Sequence, residues 1–371
     1  MDQRASPRND QVASRDIKCS GSAPLWAPGG AQTSIVVTTM PTNRQIHLAE
    51  TPSGRLAREH FRLTDGAMPA PADGEVLLRV LYISLDAANR AWMQGATYRS
   101  AVEAGQIMAG GALAEVVESK AAGLAPGDLV VADTGWQEYA ALPARRVQKV
   151  ERREPLTHLL SVYGVAGLTA YFGLLECGAP LPGQTVVVSA AAGAVGVFVG
   201  QIAKIKGCRV IGIAGGQKKC DWLTRELKFD AAIDYKAGPL APRLKEQADK
   251  GIDVYFDNVG GDILEACLFR MNNHGRIVCC GAVSQYDGAP SPHGPRGIPG
   301  LIVTRRLTMR GFIFTDFGDR RPAALTDLES WVREGKLTVP EDVIAGIENT
   351  PGALVGLLAG ENIGKRMVKV A

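Results

Sequence analysis

From Arg44 to about Val150 the apolar positions come in short runs: RQIHLAE, GEVLLRVLYISLD, GALAEVVES, GDLVVAD and WQEYAALP. Gly, Pro and Asp divide them. Runs punctuated in this way predict an antiparallel β domain of barrel type. The period then changes. TVVVSA, residues 185–190, is a solid apolar run, and AVGVFVGQIAKIKG after it has the spacing of a helix. The alternation continues through RVIGIAGG, the helical KKCDWLTREL, AAIDYK, PRLKEQADK, IDVYFDNVGG, DILEACLFRM and RIVCCGAVS. Strands that are apolar throughout, alternating with helices, predict a parallel sheet covered on both faces. The second part of the chain is therefore expected to be a doubly wound α/β domain.

Two stretches lack such patterning. Residues 1–39 are rich in Ser, Pro, Gly, Asn and Asp and show no sustained period, so no packed element is expected there. No charged segment runs directly into an apolar one, which counts against a secretory signal. Met40, followed at once by PTNRQIHLAETPSG, reads as the native start, with residues 1–39 an upstream extension; a genuine disordered leader is the alternative. The second stretch, QYDGAPSPHGPRGIPGLIV (285–303), has a Pro and Gly content that argues against regular structure. A loop of that length is expected to cover a site as a lid, with a solvent-exposed insert as the competing reading and His293 exposed rather than catalytic.

Composition narrows the function classes. The chain has 371 residues, 46% of them hydrophobic, enough for two domains with their own cores. A net charge of +3 without basic residues interleaved with aromatics leaves no footprint for nucleic acid. The seven cysteines include no C-x-x-C pair, which speaks against a disulfide framework or a zinc knuckle. Cys279 and Cys280 should fall on opposite faces of a buried strand as core residues. No apolar run approaches the ~18 residues of a spanning helix. A soluble, cytoplasmic protein is expected.

The turn between the strand TVVVSA and its helix is where a dinucleotide phosphate would sit. Against G-x-G-x-x-G it reads Ala191-Ala192-Gly193-Ala194-Val195-Gly196. Gly193 stands where a side chain would obstruct the pyrophosphate, and Gly196 where helix and strand must pack closely. Alanine at the first position is tolerable if φ there stays negative. A carboxylate that would accept from an NAD ribose is missing after the second strand, where Ala214, Gly215 and Gly216 lead into Lys218 and Lys219. An open loop followed by ammonium groups suits a 2′-phosphate, so NADPH is the expected cofactor and Lys218 the better candidate to meet it.

The stretches YGVAGLTAYFGLLECG, AAAGAVGVFVGQIAKIKGCRVIGIAGG, FDNVGGDILEACL and GRIVCCGAVSQYD resemble the zinc-independent branch of the medium-chain dehydrogenase/reductases, within it the prostaglandin reductase, alkenal double-bond reductase and curcumin reductase group. The resemblance runs from about Thr42 to Ala371. It implies a GroES-like barrel domain from residues 40–158 and 335–371, and a Rossmann domain from 159–334. It implies NADPH contacts at Gly193, Ala194, Val195, Lys218, Tyr235, Asn258, Cys280, Gly281, Ser284 and Asn362. One departure stands out: ISLDAANRAW places Ala87 and Ala88 where some members have Pro-Tyr, so an aromatic of the substrate pocket is lost.

The wider family's zinc members supply Cys and His ligands early in the barrel domain. Between residues 40 and 160 this chain has no cysteine, and His47, His60 and His158 lie outside any ligand spacing. No metal ligand set is thus expected, which leaves hydride chemistry that needs no Lewis acid. Reduction of a carbon–carbon double bond conjugated to a carbonyl fits, with one hydrogen-bond donor for the enolate oxygen. Tyr286 is the first choice for that donor, the cofactor's ribose hydroxyl the alternative, and a surface tyrosine the bland case. Three functions stay open: an NADPH-dependent enone or alkenal reductase acting as a homodimer, an NADPH-dependent quinone reductase, and a non-catalytic NADPH-binding protein.

Overall fold

A computed structural model describes residues 42–287, 294–295 and 297–371. The expected amino-terminal extension, Met40, and residues 288–293 and 296 of the proposed lid, His293 among them, lie outside those residues. The described chain belongs to one compact unit, Pro41–Ala371.

The apolar runs of the second half become a six-stranded sheet in which every neighbour pair is parallel. Its spatial order is Ala231–Asp234, Arg209–Ala214, Thr185–Ser189, Ile252–Asp257, Met271–Cys279, Thr308–Gly311. Counted along the chain this is order 3-2-1-4-5-6, the doubly wound arrangement. Both faces are covered. Val186 and Val188 point into a core with Phe172, Phe198 and Phe256, while Val187 points into one with Ile211, Tyr255 and Cys267. Three consecutive β-branched residues with no exposure suit a strand that has no wet face. Cys279 and Cys280 divide between the same two cores as expected, although the strand ends at Cys279.

The first half forms a seven-stranded sheet from Glu75–Ser84, Gly111–Ser119, Leu129–Asp133, Tyr139–Pro143, Val147–Lys149, Glu341–Ala345 and Lys365–Lys369. Beside it, Thr42–Leu48 and Phe61–Ala67 pair as a ribbon. The expected antiparallel pattern has one exception: Glu341–Ala345 runs parallel to Lys365–Lys369. The helix Thr350–Leu358 lies between these two strands, and such a crossover returns the chain in the same direction. The carboxy-terminal strands thus come back to a sheet begun some 270 residues earlier, and the chain just before the last strand bridges to the turn at Gly193 through Gly364.

The expectation of no regular structure across 285–303 is corrected in part. Ile298–Arg305 is a helix that starts after Gly297, at φ 70°, with a proline in its first turn. Proline is favoured there because the first N–H groups of a helix lack intrahelical partners anyway.

Candidate dinucleotide and substrate site

The phosphate turn keeps its shape without its first glycine by moving the left-handed residue. Ala190 has φ 47°, while Ala191 is outside the positive-φ region. Gly196 has no such freedom to change: a Cβ there would lie 2.3 Å from Ala190 O and 2.8 Å from Ala191 Cα. At Gly193 the nearest atom would be Ala190 O, 3.1 Å away. The N–H groups of Ala194, Val195 and Gly196 have no partner among the described residues, at the start of the helix Gly196–Ile205. Three free donors on a helix N-terminus form a cradle for an anion. The turn also meets the other sheet, since Gly364 donates to Ala192 O at 2.9 Å.

The loop after the second strand separates the two lysines. Lys219 Nζ donates to Gly360 O and Asn362 O, each at 2.6 Å, and its ammonium is pushed below its ordinary pKa by burial, then by Lys236 and Arg366. It ties the helix Gln217–Arg225 to the segment before the last strand. Lys218 is exposed and has no partner among the described residues. It is the lysine left for a ligand. Tyr235 and Lys236 lie across Gly215, where a Cβ would come within 2.9 Å of Lys236 Cε and 3.1 Å of the Tyr235 hydroxyl. Lys236, with its ammonium 6.0 Å from the Tyr235 ring, is a second cation here that the sequence reasoning missed. Asp234 accepts from the N–H groups of Gly216 (2.8 Å) and Lys236 (2.9 Å) and so holds this corner. Asn362 is buried, and its amide is spent on Gly364 O at 2.8 Å.

At the other end of the cleft the loops after strands Ile252–Asp257 and Met271–Cys279 are laced together. Buried Asp257 accepts through one oxygen from the Tyr255 hydroxyl (2.7 Å), the Ser189 hydroxyl (3.2 Å) and the N–H groups of Val259 (3.0 Å) and Gly260 (2.9 Å). Such a gathering fixes the Asn258 turn in direction as well as position. Asn258 donates its side-chain amide inward, to Ser189 O at 2.8 Å, which spans the switch point between the first and fourth strands. Cys280 and Gly281 N–H groups bond Asp257 O, and the Ser284 hydroxyl donates to Val259 O at 2.6 Å. The sequence-predicted residues 258, 280, 281 and 284 are therefore brought together, chiefly through backbone. Burial pushes the Cys279 thiol up to about 11 and the Cys280 thiol up to about 12, with Asp257 adding to each.

Tyr286 folds back over this platform. Its oxygen accepts from Ala282 N–H at 3.2 Å and would lie 3.5 Å from a Cβ at Gly281. The phenolic proton has no acceptor among the described residues, and a phenol that accepts from one neighbour is polarised toward donating to another. Tyr98 was missed by the sequence reasoning, because a lone aromatic in a turn-rich stretch carries no period. It stands edge-on to Trp92 at 6.3 Å, with its side chain largely exposed. Ala87 and Ala88 open the short helix Ala88–Ala91 nearby. Among the described residues no three His, Cys, Asp or Glu side chains gather as a metal set.

Residues 44–150 match the family described as N-terminal domain of oxidoreductase, and residues 194–330 match the one described as zinc-binding dehydrogenase. NADPH-dependent curcumin reductase of Escherichia coli is 40% identical over 335 residues, covering 89% of this chain and 97% of that protein. Prostaglandin reductase 1 of Bos taurus is 42% identical over 315 residues, covering 83% and 93%. The crystal structure of CurA from Vibrio vulnificus in complex with NADPH superposes with a TM-score of 0.85 at 41% identity, covering 88% and 99%. The chain belongs to the medium-chain dehydrogenase/reductase family, in the group that holds these reductases.

Proposed function

We propose that this protein reduces the carbon–carbon double bond of α,β-unsaturated aldehydes or ketones with NADPH, without a metal. NADPH supplies a hydride to the β-carbon when bound. The residues fit that cofactor: free N–H groups at 194–196 for the pyrophosphate, unpartnered Lys218 with Lys236 and Tyr235 for the 2′-phosphate, and the 258–284 platform for the nicotinamide end. The observation that carries the reading is Tyr286, a phenol whose proton has no acceptor among the described residues, set over Gly281 on that platform. Its O–H is available to the carbonyl oxygen as negative charge develops there, and proton delivery to the α-carbon then completes a neutral product. The names of the curcumin and prostaglandin reductases point to the same class of substrate. Ala87 and Ala88 leave the pocket wider than it would be with an aromatic at that corner.

Strand pairing supports residues 159–334 as the cofactor domain and residues 40–158 with 335–371 as the substrate-side domain. A homodimer would pair one of the parallel sheet's two outer strands, Ala231–Asp234 or Thr308–Gly311, whose outer edges are unpaired among the described residues; sedimentation of the purified chain would be the direct check, and cell fractionation that of a cytoplasmic place. The deciding experiment is a panel of enones and quinones assayed by loss of NADPH absorbance. Turnover of enones supports the proposal; turnover of quinones alone, or of neither, refutes it.

A further inference from the structure

Arg90 is 1% exposed, yet it carries a charge, and its carboxylate partner is the residue after Tyr286. Its Nε donates to Asp287 Oδ1 at 3.2 Å, and its Nη2 donates to Gly54 O at 2.7 Å. The same Asp287 oxygen accepts from Leu56 N–H at 2.7 Å. Arg90 Nη1 has no partner among the described residues. Asp287 continues the platform of the parallel sheet, whereas Gly54, Leu56 and Arg90 belong to the other half of the molecule. A buried charge is costly, and an apolar contact would join the two halves with less desolvation. What the guanidinium adds is direction, because its planar fork fixes angle as well as distance.

We infer that Arg90 and Asp287 are a positioning pair that sets the Tyr286 hydroxyl for the reaction, an inference that rests on the enone-reductase reading above. Among the described residues, the hydrogen bonds of Tyr286 within its own loop are its N–H on Val283 O and its oxygen on Ala282 N–H, both at 3.2 Å. Asp287 adds an anchor on the opposite wall of the cleft. A donor must stand within a few tenths of an ångström of its target to act, so loss of the anchor should lower kcat and leave cofactor binding alone. The phosphate turn and Lys218 make no contact with the pair.

The test uses the full chain with NADPH and one enone. Asp287→Ala should lower kcat about ten- to a hundredfold, with NADPH Kd changed by less than about twofold. Asp287→Asn, which keeps an acceptor for Leu56 N–H, should lose less. In a Tyr286→Phe background Asp287→Ala should add little, because both changes act through one hydroxyl. Hydrogen exchange over residues 282–287 should quicken in Asp287→Ala and in Arg90→Lys, a readout that needs no turnover. Unchanged exchange, an unchanged kcat in Asp287→Ala, or full additivity with Tyr286→Phe would overturn the pairing. If Asp287→Ala fails to fold, Asp287→Asn and Arg90→Lys are read in its place. A parent enzyme without enone turnover refutes the function reading instead, and exchange alone then decides whether the pair holds the loop.

Discussion

Replacing Lys218 with alanine removes an exposed ammonium that has no partner among the described residues, so the fold should not notice its loss. A ribose 2′-phosphate carries close to two negative charges at neutral pH. Attraction between unit charges 4 Å apart is about 1 kcal/mol in water-like surroundings and about 4 kcal/mol near a partly shielded surface. Lys218 is exposed, so the lower figure applies, and about 2 kcal/mol against a dianion corresponds to roughly a thirtyfold rise in NADPH Kd. NADH lacks the phosphate, and its affinity should move by less than about twofold. Titration of both cofactors into parent and variant, followed by fluorescence, separates the two. Repeating the titration at about 0.5 M salt should shrink the NADPH penalty, since the lost interaction is screened. Equal weakening of both cofactors, or of neither, would refute the assignment and shift attention to Lys236.

Tyr286→Phe keeps the ring and removes the donor, so enone kcat should fall about a hundredfold while NADPH Kd holds; a kcat within about twofold of the parent would move the role to the cofactor ribose or to water. Gly196→Ala forces a methyl against backbone on two sides, which cannot yield, and should destabilise the protein by about 1–3 kcal/mol with loss of cofactor binding; an unaltered melting temperature would contradict the packing described. His158 is held below its ordinary pKa of 6.5 by burial, with Glu341 opposing. The unfolded chain therefore takes up a proton first as pH drops below about 6.5, stability falls through that window, and His158→Gln should flatten the loss; parallel melting curves of parent and variant between about pH 7 and 5 would disprove it. Prolonged chelation followed by desalting should leave enone turnover intact, whereas zinc lost in step with activity would overturn the metal-free reading.

The doubly wound half could be read in advance because its strands are buried on both faces, and runs such as Val186–Val188 have no polar residue to confuse the period. What ties up Lys219 was not legible, because its partners Gly360 and Asn362 lie some 140 residues away. The turn at 189–196 was harder. A glycine fingerprint encodes backbone freedom, and here the left-handed position has passed to Ala190, a residue the fingerprint does not test. Asn258 was selected as a cofactor contact, yet its amide faces Ser189, so what it offers a ligand is a fixed turn rather than that donor. Arg90 and Asp287 left no trace in local pattern. Their significance comes from meeting across the cleft, and periodicity along one segment carries no information about such encounters.

The six cysteines of the described residues are all free, and burial raises every one of them above its ordinary pKa. Thiolates, not thiols, add to conjugated alkenes. For a catalyst whose proposed substrates are electrophiles, a lower thiolate fraction means slower loss of its own sulfur to them. Cys280, packed against the core at the edge of the 258–284 platform, is raised furthest of the two at that strand end. Durability in this molecule is thus a matter of where its sulfur is hidden, and it comes from the same packing that shapes the pocket.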